Sequence, residues 1–502
     1  MLRNVGSNWV VTLVTIAATY LLTPFVIHTL GREGYGTWTL IASMTGYFSL
    51  LALGVPMACV RYLAQHVAEG DTAKMNAAIG SCAGLYLIVG AAALVIGAAL
   101  APVFGQLYEI PPGLHLQATV AFGITIVQVS AGFIGLLPEG IMFAHHDFVV
   151  RNLVRVGGVL LRVALTIGLL TNYPSVIALA LVQAGCLAFD LGVSWALVRR
   201  RYPAVRISVA DFDRGMVRQI FSFSAYVLLL SAGARLSFET DALVIGAFIG
   251  VGAIPFFVIA NSLIIYLMEF IVAIAAVVSP MATRLHTEGR LDELRAIFLK
   301  WSKVALSLTM MAGLFLMVLG PRFIGWWIDP SFEAPSGAVL QILTLSSLLF
   351  LPVRGVALPI LMGIGKPRTP AILFVSAGVA NVALSVALVG PLGLAGVALG
   401  TAIPNAIFAI VILVIACREL QTSVAAYVSY VVPRAALGAL PVLALLLWFK
   451  IGIRVETIVG LAAAGSAMLL LFAVTWIFFV YRDDPYVDLK GGLVRLRAWG
   501  RA

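Results

Sequence analysis

Apolar residues run along this chain in long blocks separated by short polar or charged interruptions. Fourteen blocks are long enough to cross a hydrocarbon layer about 30 Å thick. They cover residues 9–30, 36–58, 77–104, 116–143, 153–171, 175–197, 221–248, 253–280, 301–320, 338–363, 371–390, 393–416, 433–450 and 456–480. Backbone N–H and C=O groups cannot go unpaired in lipid, so these blocks are predicted to be helices. A membrane β-barrel would show short alternating segments instead. The expected fold is an all-α polytopic membrane protein with 14 transmembrane helices. Pro24, Pro56, Pro138, Pro255, Pro280, Pro352, Pro359, Pro404 and Pro441 fall inside or at the edges of blocks. Each removes one helix hydrogen bond and permits a bend. Gly246 and Gly250 form a GxxxG contact that allows close helix approach.

A weak internal repeat is visible. At an offset of 219 residues Gly31 pairs with Gly250, Trp38 with Phe257 and Glu69-Gly70 with Glu288-Gly289. At an offset of 220, His66 meets His286, Met142 meets Met362 and Gly158-Val159 meets Gly378-Val379. The expected organisation is an N-terminal lobe of six helices (1–198), a cytoplasmic amphipathic linker (199–220) and a C-terminal lobe of six helices (221–416). Two further helices and a cytoplasmic tail (417–502) follow. Six is even, so the lobes run in the same direction, related by an axis along the membrane normal.

Composition fits lipid as solvent. Of 502 residues 62% are hydrophobic and 11% charged, about half the charged fraction of soluble proteins. The 32 Lys and Arg against 22 Asp and Glu leave a net charge of +10. With the N-terminus inside, 24 basic residues lie in inner segments and four (Arg32, Arg322, Lys450, Arg454) in outer loops. The positive-inside rule therefore places both termini in the cytoplasm, and the excess charge reflects membrane topology, not nucleic-acid binding. Met1 to Asn4 precede the first block without a clear cleavage site, so that block reads as a retained helix. The longest outer loop, 321–337, carries Trp326 and Trp327, readable as an interfacial anchor or a sugar-stacking platform. Cys59, Cys82, Cys186 and Cys417 lack CxxC spacing, so neither a disulfide framework nor a zinc site is expected.

No ATP motor is visible: Gly365-Lys366 precedes Pro367 and lacks the rest of a phosphate loop. The six histidines are scattered, His145-His146-Asp147 reads as a polar helix cap, and no cofactor, metal or catalytic signature appears. The chemistry left to read is charge at bilayer depth, which is costly enough to demand water, a partner or a ligand. Arg235 and Glu239, four apart in a segment read as one helix over Phe221–Gly250, share a face. They are either an ion pair fixing helix contacts or the lining of a transport cavity. Arg162 and Arg354 lie in other blocks and Arg61 ends the second. Each is a cavity candidate, since guanidinium matches phosphate oxygens bidentately; Arg162 and Arg354 read equally as structural groups at kinks. Asp241, Glu239, Asp190 and Glu269 are candidates for coupling a proton or Na⁺, or for holding the arginines; Glu139 is a further acid at this depth.

Three stretches resemble a family. LGREGYGTWTLIASMTGYFSLLALGVPMACVRYLAQHVAEGD (Leu30–Asp71) resembles the loop and second helix of bacterial polysaccharide transporters. GIGKPRTPAILFVSAGVANVALSVALVGPLGLAGVALGTAIPN (Gly363–Asn405) is similar to their tenth to twelfth helices. ETDALVIGAFIGVGAIPFFVIA (Glu239–Ala260) resembles their seventh-to-eighth turn, although an aromatic is more usual where Ile254-Pro255 stands. The likeness covers about residues 1–420 and points to the oligosaccharide flippases of the multidrug/oligosaccharidyl-lipid/polysaccharide exporter superfamily. It implies a two-lobed, alternating-access transporter, not an enzyme, in the bacterial inner membrane. It implies export of undecaprenyl-pyrophosphate-linked oligosaccharide for O-antigen of lipopolysaccharide, capsule or exopolysaccharide. It implies coupling to an ion gradient, as in an antiporter, and roles for Asp241, Arg235 and Arg354 in the cavity. Membrane lipids, a polysaccharide polymerase and other assembly proteins are expected partners. The alternatives are a drug or lipid exporter of the same superfamily, a membrane polymerase or ligase, and a non-transporting scaffold.

Overall fold

The computed structural model describes residues 2–52, 54–206, 208, 214–453 and 455–487. Among them every regular element is helical, and eleven helices are long and apolar enough to cross a membrane. The α-helices, short ones included, are in chain order α1 (Leu2–Gly46), α2 (Val55–Glu69), α3 (Thr72–Leu107), α4 (His115–Ala144), α5 (Phe148–Asn172), α6 (Val176–Arg201), α7 (Arg214–Phe238), α8 (Thr240–Phe248) and α9 (Ile254–Val272). They continue as α10 (Ala275–Thr287), α11 (Leu291–Val318), α12 (Gly320–Trp327), α13 (Glu333–Pro352), α14 (Leu358–Gly363), α15 (Arg368–Glu419), α16 (Val424–Val431), α17 (Pro433–Leu447) and α18 (Ile458–Thr475). The chain divides into two compact units, Met1–Pro255 and Phe256–Ala502. α7 and α8 pack on α1, α2 and α3, so the first unit extends past residues 199–220. Of that connection, 199–201 finish α6 and 214–220 begin α7, while the rest of the expected surface helix, 207 and 209–213, lies outside the described residues.

Hydropathy blocks and helices differ in instructive ways. Blocks 9–30 and 36–58 run together through α1, where Gly31 (φ 70°, ψ 174°) is the non-helical joint. Blocks 371–390 and 393–416 run together through α15, kinked at Gly393 (φ 56°). Glycine enters such conformations without a Cβ clash. Other blocks are instead broken: 36–58 leaves α1 at Gly46 and resumes in α2 at Val55, 221–248 parts at Glu239 into α7 and α8, and 253–280 parts into α9 and α10. The 321–337 loop is largely helical, with Trp327 buried on Phe323 (ring centroids 5.9 Å apart) and Trp326 exposed.

The repeat survives in the backbone. Positive φ recurs at 219 residues in Gly31 and Gly250, Gly70 and Gly289, and His146 and Gly365. The hydrogen bonds recur with it. Asp71 N–H donates to His66 O and Gly70 N–H to Val67 O, as Arg290 does to Leu285 and Gly289 to His286. Asp147 N–H donates to Met142 O and His146 N–H to Phe143 O, as Lys366 does to Leu361 and Gly365 to Met362. These are Schellman-type helix ends, in which a left-handed residue lets the chain satisfy the last carbonyls. They show that 219 is the register around His66 and Met142, where side-chain identity suggested 220.

The Gly70 turn also joins two cysteines. Cys59 lies eleven residues before Gly70 and Cys82 eleven after Asp71. Folding α2 back along α3 brings them together as a disulfide. The expectation of no disulfide is thereby corrected: an antiparallel hairpin pairs positions symmetric about its turn, whatever their distance along the chain. Close approach is needed elsewhere as well. A Cβ on Gly36 of α1 would stand 1.9 Å from Val251 O in the turn after α8. In the second unit, α17 and α18 bury Val442, Leu446, Ala464, Met468 and Phe472 in one core with Val318 at the end of α11.

Candidate functional site

The break at Glu239 organises a polar cluster that contains three of the sequence candidates. Glu239 (φ −112°, ψ −21°) ends α7 and precedes α8. Arg235, one turn earlier, places Nη1 2.6 Å from Glu239 Oε1, and both side chains are 32% exposed. Tyr47, opening the 3-10 turn Tyr47–Ala52, donates its hydroxyl to Arg235 O at 3.2 Å and pairs with Thr240 Oγ1. A Cβ on Gly46 would stand 3.1 Å from Arg235 Nη1 and 3.2 Å from Glu239 Oε2, so glycine makes room for the ion pair. Asp241 is 2% exposed in the first turn of α8, where the helix dipole favours a carboxylate. The pairing expected from the four-residue spacing is present. The continuous helix expected over Phe221–Gly250 is not, because α7 ends beneath the Tyr47 contacts and the chain restarts at Thr240.

The other sequence candidates have different neighbours. Arg162 of α5 lines a cavity of about 110 Å³ with residues of α1 and α6, and its Nη2 donates to Thr19 Oγ1 at 3.3 Å. Arg354 lies in the π-helical turn Val353–Ala357 of the second unit, its guanidinium 4.9 Å from the Phe374 ring centroid. Arg61 is exposed on α2, 6.0 Å from the Tyr62 ring centroid. Asp190 of α6 feels the charges of Arg155 and Arg151 on α5. Glu269 is exposed near the end of α9. Arg235, Glu239 and Asp241 are thus gathered around Tyr47, while Arg162 is held by a separate set of side chains in the same unit.

Several polar contacts had no local signal. Glu139, after Pro138 in α4, forms an ion pair with Arg151. Arg151, Arg155 and Arg162 stand at i, i+4 and i+11, on one face of α5; that spacing was legible. Lys303, placed by hydropathy at the edge of an inner connection, is buried in α11 and bonded to Asp484 Oδ2 at 2.5 Å. At the α4–α5 turn, Asp147 accepts from Arg201 Nη1 at 2.8 Å and from the Tyr202 hydroxyl. The Tyr202 hydrogen bond and, against the cost of burial, Arg201 hold the Asp147 carboxyl below the usual range. His145 stacks on Tyr202 at 4.1 Å, so the His-His-Asp run is a polar clasp between helix ends. Among the described residues no three His, Cys, Asp or Glu side chains group as metal ligands would.

Comparison with known proteins places this architecture. A curated relative from Bacillus subtilis strain 168, the uncharacterized membrane protein EpsK, is 24% identical over 425 residues, 81% of each chain. Among solved structures, the lipid II flippase MurJ in an inward closed conformation matches with a TM-score of 0.73 at 14% identity, covering 96% of this chain and 99% of MurJ. An inward-facing multidrug resistance MATE family transporter of the MOP superfamily matches at 0.71 and 18%, covering 82% and 98%. At such identities these two establish a shared fold. The sequence profile described as polysaccharide biosynthesis protein matches residues 1–286, more than half of the 502, and this multi-pass membrane chain therefore belongs to the polysaccharide biosynthesis protein family.

Proposed function

We propose that the chain is a flippase that carries undecaprenyl-pyrophosphate-linked oligosaccharide units across the bacterial inner membrane, with both termini cytoplasmic, for O-antigen, capsule or exopolysaccharide assembly. The observation that carries this reading is a polysaccharide-biosynthesis chain whose fold matches a lipid II flippase over 96% of its length. Transport by alternating access then requires charged groups that meet anionic cargo in a wet path. Arg235, Arg354 and Arg61 are the proposed phosphate-facing groups, and Arg162 faces another part of the cargo. Asp241 and Glu239, with Asp190 and Glu269, are the proposed ion-coupling groups for H⁺ or Na⁺. The partly exposed Arg235–Glu239 pair supports this assignment, because water can reach it. The chain acts on cargo by moving it, and polymerisation falls to a partner enzyme.

The test is reconstitution in proteoliposomes with a fluorescent undecaprenyl-pyrophosphate-linked oligosaccharide and an impermeant glycan-modifying reagent. The wild-type chain exposes the glycan to the reagent, and Arg235→Ala and Asp241→Ala variants at normal membrane levels do not. Full translocation by both variants removes the charged-path assignment, and no translocation by the wild type removes the flippase. The MATE likeness favours a drug exporter as second reading. Dye efflux without glycan movement would establish it.

A further inference from the structure

Arg162 differs from Arg235 and Arg151, two other half-buried cations among the helices of the first unit. Arg235 has Glu239 and Arg151 has Glu139 as counter-charge. No carboxylate forms an ion pair with Arg162 among the described residues. Its Nη2 reaches only a hydroxyl, Thr19 Oγ1, and its buried Nε has no hydrogen-bond partner among the described residues. A guanidinium among membrane helices is stable only with compensation from water, a partner or a ligand. The Nε–H and Nη–H edge is the planar fork that binds a carboxylate bidentately.

The Arg162 side chain borders a cavity between α1, α5 and α6, whose lining includes Thr19, Thr23, Tyr35, Trp38 and Gln183. Apolar walls with hydroxyls, an amide and an aromatic surface are the mixture that binds a sugar: C–H faces against the ring, ring hydroxyls against the polar points. Size narrows the choice. The cavity measures about 110 Å³, against roughly 300–1,000 Å³ for sites that enclose a whole small molecule. It takes one substituent and part of a ring, not an oligosaccharide. Charge narrows it again. The lining carries one cation and no carboxylate, so one negative charge is balanced, while a pyrophosphate would bring uncompensated charge into an apolar site.

We infer that this cavity binds the carboxylate of an acidic sugar, a hexuronate or a residue of like charge, in the transported glycan. The inference rests on the flippase reading for its biological setting, but the binding it requires does not. The pocket would then select among glycans: Arg162 and Gln183 read the acidic sugar, and the lipid-linked phosphates are left to the other arginines.

The experiment is binding of radiolabelled glucuronate to the purified full-length chain in detergent. Saturable binding is expected, displaced by unlabelled glucuronate and by neither glucose nor glucuronate methyl ester. Arg162→Gln is expected to weaken binding at least tenfold and Arg162→Lys by a smaller factor; surface Arg284→Gln should leave it unchanged. The ester competition uses the wild-type chain and so stands even if Arg162→Gln fails to fold. Absence of wild-type binding, competition by glucose or the ester, equal competition by inorganic phosphate, or wild-type affinity in a folded Arg162→Gln variant would each overturn the inference. Glucuronate binding by a chain that translocates no lipid-linked glycan supports the pocket and defeats the flippase reading. Translocation without glucuronate binding does the reverse.

Discussion

Replacing Asp484 by alanine takes the counter-charge from Lys303, and both side chains are sealed from solvent (1% and 0% exposed). Asp484 also accepts from the Tyr430 hydroxyl at 2.6 Å and from the amides of Tyr486 and Val487 at 3.0 and 3.1 Å. Burial raises its pKa, but Lys303, Tyr430 and the Tyr486 amide outweigh that and hold it below the ordinary carboxylate range. Its stabilisation is therefore complete at neutral pH and is lost as pH falls through that lowered value. Breaking a buried pair from one side costs roughly 3–5 kcal/mol. Lys303 keeps Val480 O at 3.1 Å and the Tyr430 and Tyr481 rings at 4.6 and 5.6 Å, worth about 2 kcal/mol when desolvated. These retained contacts place Asp484→Ala near the lower limit, about 3 kcal/mol, which is more than a hundredfold in an equilibrium constant. The segment after α18 should open that much more often, measured by limited proteolysis of residues 481–487 under conditions where cleavage follows the open population. Equilibrium unfolding in mixed micelles gives an independent reading. The double variant Lys303→Met, Asp484→Leu removes both charges and the cost of burying them, so it should return to within about 1 kcal/mol of the wild type. A single variant indistinguishable from wild type, or a double variant as damaged as the single, would refute the reasoning.

Gly36→Ala must push α1 away from Val251 O, 1.9 Å from the new Cβ. A loss of about 2 kcal/mol is expected by overpacking, and unchanged thermal stability in detergent would show that no such approach exists. Asp147→Asn weakens the clasp to Arg201 and Tyr202 by about 1 kcal/mol at neutral pH, a modest value because the site is partly exposed. The difference from wild type should begin to shrink as pH drops below about 4, the ordinary carboxyl value of the unfolded chain, and disappear as pH falls through the lowered value of the folded one; a difference independent of pH contradicts it. Alkylation of unreduced, denatured protein should modify two cysteines, Cys186 and Cys417, and all four after reduction. Four adducts before reduction would rule out the Cys59–Cys82 bond.

The helical class and most of the helices follow from the sequence alone, since a block of some twenty apolar residues in lipid can satisfy its backbone only within itself. The Arg235–Glu239 pair was legible for a similar reason: a four-residue spacing brings side chains together on any helix. The 219-residue register was also present, and the recurring left-handed turns at Gly70 and Gly289 make it visible in the backbone. Which charges meet across helices was not legible. Lys303 and Asp484 are 181 residues apart, and nothing near either residue specifies the other. Cys59 and Cys82 pair only once α2 lies along α3, and Arg162 lacks a carboxylate only because of what α1 and α6 bring to α5. Hydropathy and spacing act over one or two helical turns, whereas these encounters depend on how far each helix is rotated and slid against its neighbours. That is decided by side-chain interdigitation across the whole bundle.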